Sequence, residues 1–209
     1  MRNNPRIKKL IGLLESNNVD LDWSDKGRLI QLSGSRDHQG VVLKTSLYPY
    51  VEFEDLLNNQ RMLLLDNLED PHNVGAILRS AEVFGFTSVC LPKKGVPEIY
   101  PSVVKVSTGA TEFMKICRSH SANHYALQAA ESGYRIVALD MSGKVSLTDV
   151  AKSNYDRLVL VVGGEDRSVG QYILNMAEDI IGIRQRGQVN SLNASVAAGI
   201  AMFELGQAK

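Results

Sequence analysis

"VNSLNASVAAGIAMFELG" (residues 189–206) is the stretch from which the rest of the chain is best read. Leu192, Val196, Ile200 and Phe203 recur at helical spacing as one apolar stripe, and Ala194, Ala198, Ala201 and Leu205 form a second beside it. A helix apolar along two stripes is expected to be buried nearly all round, its small residues allowing close approach by neighbouring backbone. Its beginning is nevertheless polar. The free N–H groups of a buried helix must be met by side chains or by a ligand, and Asn190, Ser191 and Asn193 are each candidate N-caps.

Upstream, apolar runs alternate with helical patterns. Strands are expected at 62–66 (MLLLD), 88–92 (SVCLP), 113–117 (FMKIC), 135–140 (RIVALD), 157–164 (RLVLVVGG) and 179–184 (DIIGIR). Most are continuous rather than alternating, as in strands covered on both faces of a parallel sheet. Helices are expected over 73–84, 101–109, 122–132, 168–177 and 191–206, with Gly85 as the C′ residue of the first. The pattern predicts an α/β fold: a mostly parallel sheet with helices on both faces. The first 60 residues have another rhythm. Ile7, Leu10, Ile11 and Leu14 share a helical face, a short helix follows around 24–33, and "QGVVLKTSL" (39–47) reads as a strand. Residues 1–47 are thus expected as a small α/β appendage and 48–60 as its connection to a main domain over 61–209.

The 209 residues are 44% hydrophobic, enough for one core without disulfide or metal staples. Lys plus Arg equals Asp plus Glu at 23 each, so any nucleic-acid binding must come from a local patch. Cys90 and Cys117 lie in strand-like runs and read as core thiols of a reduced compartment. No apolar run approaches the roughly 20 residues that span a bilayer, and no signal-peptide pattern opens the chain. A cytoplasmic protein with no membrane partner is expected.

Neither a dinucleotide fingerprint nor a P-loop is present, which argues against a generic nucleotide-binding protein. Cys117, His120 and His124 have a zinc-like spacing but lack a fourth ligand, so no metal is expected. "DNLEDPHNVGAILRSAEVFGF" (66–86) starts at the carboxyl end of a strand, where open α/β sheets hold their ligands. Asn73 reads as an N-cap there, and Val74, Ile77, Leu78, Ala81 and Phe84 as a buried face with Arg79 opposite. Taken alone, Arg79 is an ordinary solvated arginine. "VVGGEDRSVG" (161–170) also ends a strand, with glycines that admit close backbone approach and Glu165 beside them.

Together these three stretches resemble the motifs of the SpoU (TrmH-type) branch of the SPOUT RNA methyltransferases. Asn73, Gly75 and Arg79 match the first motif, Gly163 and Glu165 the second, and Gly187, Ser191, Leu192 and Asn193 the third. The match spans residues 61–206, far more than a single pattern. "HQGVVLKT" (38–45) before "DPHNVGAILRSA" resembles, more narrowly, the branch that methylates a ribose of large-subunit rRNA after a small RNA-binding domain. That domain's opening strand and helix are not found here, so a partial domain is expected.

The resemblance implies a C-terminal deep trefoil knot, an exception to the rule of unknotted chains, which would tuck the final helix inside and turn its start toward cofactor and substrate. It implies S-adenosylmethionine held largely by backbone, with Gly163, Ile183 and Leu192 at cofactor contacts. The implied reaction is methyl transfer to a ribose 2′-hydroxyl of ribosomal RNA, with transfer RNA as the other candidate. Arg79 is the implied central catalytic residue. A guanidinium is a permanent cation in proteins, so holding a phosphate is an easier task for it than accepting a proton. Asn73, Ser191 and Asn193 would supply hydrogen bonds, and Glu165 would fix the loop or balance Arg79. The site is implied to be completed across a homodimer, with Arg167, Arg184 and Arg186 gathering charge beside it. The chain departs from the family where Gly-x-Glu-Gly-x-Gly becomes Gly163-Gly164-Glu165-Asp166-Arg167-Ser168 and Ile-Pro-Met becomes Ile183-Arg184-Gln185. Retained activity with altered substrate preference is expected. The alternative is a non-catalytic RNA- or ribosome-binding factor that keeps the knotted fold.

Overall fold

Two segments of very different burial make up the chain, dividing between Leu47 and Tyr48. The computed structural model describes residues 4–153, 155–165, 167–188 and 191–207. Asn190 and Asp166 therefore lie outside the described residues.

In the first unit, α1 (Pro5–Ser16) starts with proline at its first position and Asn4 as N-cap, the Asn4 side chain accepting from Arg6 N at 2.9 Å. Ile7, Leu10, Ile11 and Leu14 are its half-buried positions, and the rest of the helix is exposed. The second helix, α2 (Lys26–Ser33), is capped by Asp25 and ends at Gly34 with φ +64°. Residues 39–47, expected as a strand, belong to none. A strand needs a ladder partner, and the described elements of this unit are helices. Neither helix has a buried residue within the chain.

The second unit opens on residues expected to be a connection. They are built into its core: Phe53 and Leu56 are buried in a 3-10 turn, and Val51 bridges to Cys117. There follow β1 (Arg61–Asp66), α3 (Pro71–Val83), β2 (Ser88–Cys90), α4 (Pro101–Val106), β3 (Lys115–Cys117) and α5 (Ala122–Glu131). Then come β4 (Arg135–Leu139), α6 (Leu147–Lys152), β5 (Leu158–Gly163), α7 (Gln171–Met176), β6 (Asp179–Ile181) and α8 (Ala194–Gly206). All six expected strands are present, wholly parallel, in the order β3-β2-β1-β5-β4-β6. Successive side chains of a strand point to opposite faces. Leu63, Leu65, Leu160 and Val162 accordingly join α3, α4, α6 and α8 on one face, while Met62, Leu64, Val159 and Val161 join α5 and α7 on the other.

Two local expectations change. α3 begins at Pro71, not Asn73, because Asp70 caps it by accepting from His72 N at 2.9 Å. That shift frees the Asn73 side chain. The short α6 carries too little periodicity to be read from sequence, yet its Leu147 and Val150 are buried. Gly85 follows α3 with φ +81°, as expected of a C′ glycine.

α8 departs most from expectation. Ala194, Ala198, Ala201, Met202 and Leu205 are buried against the sheet and α3, whereas Val196 is 50% exposed, Phe203 48% and Ile200 38%. One apolar stripe is inside and the other is not. The chain thus supplies a single layer of cover for a helix that is apolar on two sides.

Candidate active site

The order of the strands sets where a ligand can sit. From β1 the chain winds outward through β2 and β3, and β4, β5 and β6 fill the other side, so the connections diverge between β1 and β5. Asp66 and Gly163, the last residues of those two strands, lie in register. Asp66 is almost fully buried, and its Oδ2 accepts from Gly170 N at 2.8 Å, tying the end of β1 to the start of α7. Burial pushes its carboxyl above the ordinary value, against the hydrogen bonds from Gly170 and Asn67.

Three side chains far apart in sequence meet beside this point. Asn193 Nδ2 donates to Asn73 Oδ1 at 2.9 Å and to Glu165 Oε1 at 2.8 Å. Asn73 Nδ2 donates to the same Glu165 oxygen at 3.3 Å, as does Ala194 N at 3.3 Å. One carboxylate oxygen therefore gathers α3, the turn after β5 and the start of α8. Its other oxygen has no hydrogen bond among the described residues. Of the three N-cap candidates Asn193 is the cap: its Oδ1 accepts from Ser195 N at 3.0 Å and from Ser195 Oγ at 2.6 Å. With Oδ1 so occupied, the amide group can only point Nδ2 toward Asn73 and Glu165.

A cleft of about 1050 Å³ opens at the carboxyl ends of β4, β5 and β6. Gly163, Glu165, Ile183, Ser191, Leu192 and Asn193 all line it, as do Arg184 and Arg186. Four glycines, Gly143, Gly163, Gly164 and Gly182, are among its lining residues. A Cβ at Gly163 would stand 2.2 Å from Ser168 C, and one at Gly143 would stand 2.2 Å from Ile181 C. Side chains are thereby excluded where the loops meet, leaving peptide groups to face the cleft. Leu139, Val162, Ala197 and Ile200 supply apolar surface, and Lys144, Ser146 and Thr148 polar groups.

Arg79 is elsewhere. It is exposed on α3, does not line the cleft and has no hydrogen bond or ion pair among the described residues. Arg167 is also exposed and outside the cleft lining. Gly75 serves packing, since a Cβ there would stand 2.7 Å from the Val106 side chain on α4. Gly187 is exposed, with open space around it.

Sequence reasoning missed Asp140, Ser168 and Ser195. Asp140 ends the fourth strand run, a position at the ligand-binding edge that gave a usable signal. Its Oδ1 accepts from Ser142 N and Oγ, and its Oδ2 accepts from Ser168 Oγ. Partial burial raises its carboxyl, but these bonds, with Val169 N–H, outweigh that and leave it below the ordinary value. The Cys117, His120 and His124 spacing is accounted for differently. Cys117 Sγ lies 3.2 Å from Tyr125 Oη, and the two imidazoles pack with centroids 4.2 Å apart. Among the described residues no His, Cys, Asp and Glu are grouped as for a metal ion.

With the geometry in place, the chain can be set beside known proteins. Residues 60–203 match the SpoU rRNA methylase family, and residues 1–51 match the RNA 2′-O ribose methyltransferase substrate-binding family. YacO of Bacillus subtilis, assigned to the TrmH family of tRNA/rRNA methyltransferases, is 32% identical over 207 residues, covering 96% of this chain and 82% of that one. A tRNA/rRNA methyltransferase of Mycobacterium avium is 31% identical over 201 residues, and the chain spans 62% of its length. Among solved structures, a TrmH-family protein of Porphyromonas gingivalis superposes with a TM-score of 0.67 at 25% identity, over 90% of this chain and 73% of that one. An S-adenosylmethionine-bound rRNA methyltransferase of Sinorhizobium meliloti gives 0.65 at 26% identity, over 75% and 60%.

Proposed function

Since the chain belongs to the SpoU family of RNA methyltransferases, we propose that it moves a methyl group from S-adenosylmethionine to a ribose 2′-hydroxyl of RNA, ribosomal RNA ahead of transfer RNA. The observation that carries this is the Asn73–Glu165–Asn193 cluster, drawn from three separate motifs to the rim of a cleft that glycines help to line. The cleft fits the cofactor: apolar surface from Val162, Leu192 and Ile200 suits an adenine, and the peptide edges at Gly163 and Ile183 offer hydrogen bonds to it. When bound, S-adenosylmethionine supplies an electrophilic methyl group on a sulfonium.

The protein's part is positioning and charge. Asn73 and Asn193, locked by Glu165, present a fixed polar surface to the ribose, and Ser191 adds a hydroxyl on the cleft wall. Arg79, without a hydrogen bond or ion pair among the described residues, carries a guanidinium able to hold an RNA phosphate bidentately. Because it stands off its own chain's cleft, the complete site pairs one protomer's Arg79 with its partner's cofactor. The exposed stripe Val196, Ile200 and Phe203 supports a homodimer as the arrangement that covers it. Residues 1–47 are then the RNA-recognising part and residues 48–209 the methyltransferase with its C-terminal run knotted. Arg184 and Arg186 on the cleft wall give phosphate contacts that a net charge of zero does not forbid.

The test is calorimetric titration with S-adenosylmethionine, then transfer of labelled methyl to total cellular RNA. The expected result is cofactor binding and alkali-resistant label at a ribose, with Arg79→Ala abolishing transfer while sparing cofactor binding. A folded chain that binds no cofactor overturns the proposal and leaves an RNA-binding relative.

A further inference from the structure

Ser168 holds a backbone conformation that its side chain disfavours. Its φ is +51°, in the left-handed region where a Cβ crowds the following carbonyl and glycine is the natural occupant. It closes a tight turn after β5, with Ser168 N donating to Gly164 O at 2.9 Å in an isolated antiparallel bridge. The backbone of Gly163 lies so near that a Cβ there would meet Ser168 C and Val169 N at 2.2 and 2.3 Å. The conformation of residue 168 therefore sets where the Gly163–Gly164 edge of the cleft lies. Ser168 Oγ donates to Asp140 Oδ2, and the other oxygen of that carboxylate takes Ser142 N at 2.8 Å and Ser142 Oγ at 2.6 Å. A single carboxylate at the end of β4 thus holds its own loop and reaches across to the strained residue of the next. Asp140, Gly163, Gly164 and Ser168 all line the cleft.

We propose that Asp140 is a positioning residue: its hydrogen bond keeps Ser168 left-handed and so keeps the glycine edge after β5 in the form the cofactor cleft needs. This rests on the cleft being the S-adenosylmethionine site. Asp140 holds the turn at two neighbouring points, the Ser168 hydroxyl and the Val169 N–H, and the first has a sharp consequence. Glycine takes a φ of +51° unaided, so with glycine at 168 the bond from residue 168 to the carboxylate is no longer needed, and the Val169 N–H is the smaller part left unmatched.

Asp140→Ala, Ser168→Ala and the double variant Asp140→Ala/Ser168→Gly are compared with the unchanged chain by calorimetric titration with S-adenosylmethionine. In parallel, amide hydrogen exchange of the Gly163–Val169 turn is followed without cofactor. Asp140→Ala and Ser168→Ala should each weaken binding about tenfold, a loss of about 1.4 kcal/mol, and speed exchange in the turn. The Asp140→Ala/Ser168→Gly chain should recover most of both. A merely structural role for Asp140 would not be rescued by a glycine 28 positions away. Asp140→Ala binding as tightly as the unchanged chain overturns the proposal, and so does a loss that glycine fails to recover. If the unchanged chain binds no cofactor, the methyltransferase function falls. The exchange data then decide the positioning role, which fails if Asp140→Ala leaves the turn's exchange unaltered.

Discussion

α8 carries two apolar stripes of similar chemistry and gives them opposite surroundings. Ala194, Ala198, Ala201 and Leu205 are sealed against the sheet face that α3 shares, while Val196, Ile200 and Phe203 stand about half in water. Phe203 and Phe84 meet edge to face, with ring centroids 5.8 Å apart. The buried stripe is built mostly from alanine, and a Cβ at Gly199 would stand 3.7 Å from Ser80 Oγ, so α3 and α8 approach closely there. The exposed stripe is built from larger residues, which bury more surface when covered. The first stripe serves the fold of one chain, and the second is suited to a surface shared by two.

Leu205 gives the largest effect. It is 1% exposed, so Leu205→Ala removes its burial and leaves a cavity, for an expected loss of about 2–5 kcal/mol. Urea denaturation measures it, and a loss under about 1 kcal/mol would mean that this stripe is less closely packed than it stands here. The exposed stripe should behave in the opposite way. Val196→Ser with Phe203→Ser, both outside the cleft lining, should change the unfolding free energy of a dilute, monomeric sample by about 0.5 kcal/mol per site or less. Sedimentation at higher concentration should instead show the dimer lost. Unchanged association would break the contrast and leave Val196, Ile200 and Phe203 without a partner.

This contrast also marks what the sequence could show. Periodicity located α8 and both stripes, and the apolar runs located all six strands, because burial of strands and helix faces leaves its mark in local composition. Periodicity does not say which stripe meets the same chain, since a dimer surface and a core are written in the same residues. The site divides along similar lines. Asn73, Glu165 and Asn193 are separated by 92 and 28 positions, and no local pattern brings them together; the family motifs did. Ser168 was visible only as a departure from glycine, and its bond to Asp140 spans 28 residues. The strand expected over 39–47 failed because alternation and β-branched residues describe a strand's surface, not the existence of a neighbour to pair with.

The polar end of α8 joins the two functions, and there cap and site can be separated. Asn193→Ala removes the cap and the amide that binds Asn73 and Glu165. The expected loss of stability is about 1 kcal/mol, with methyl transfer falling much further than that loss explains. Ser195→Ala leaves Asn193 and the Ser195 backbone N–H in place and deletes only the hydroxyl that donates to Asn193 Oδ1. Stability should then fall by less than about 0.5 kcal/mol. The amide, held from one side only, can turn over and present Oδ1 to Glu165, where two oxygens would face each other. Transfer should therefore slow severalfold in Ser195→Ala at saturating cofactor while the cofactor dissociation constant stays put. Equal, small effects on stability and rate in both variants would mean that Asn193 is a cap alone, and that the polar start of α8 serves the helix rather than the chemistry.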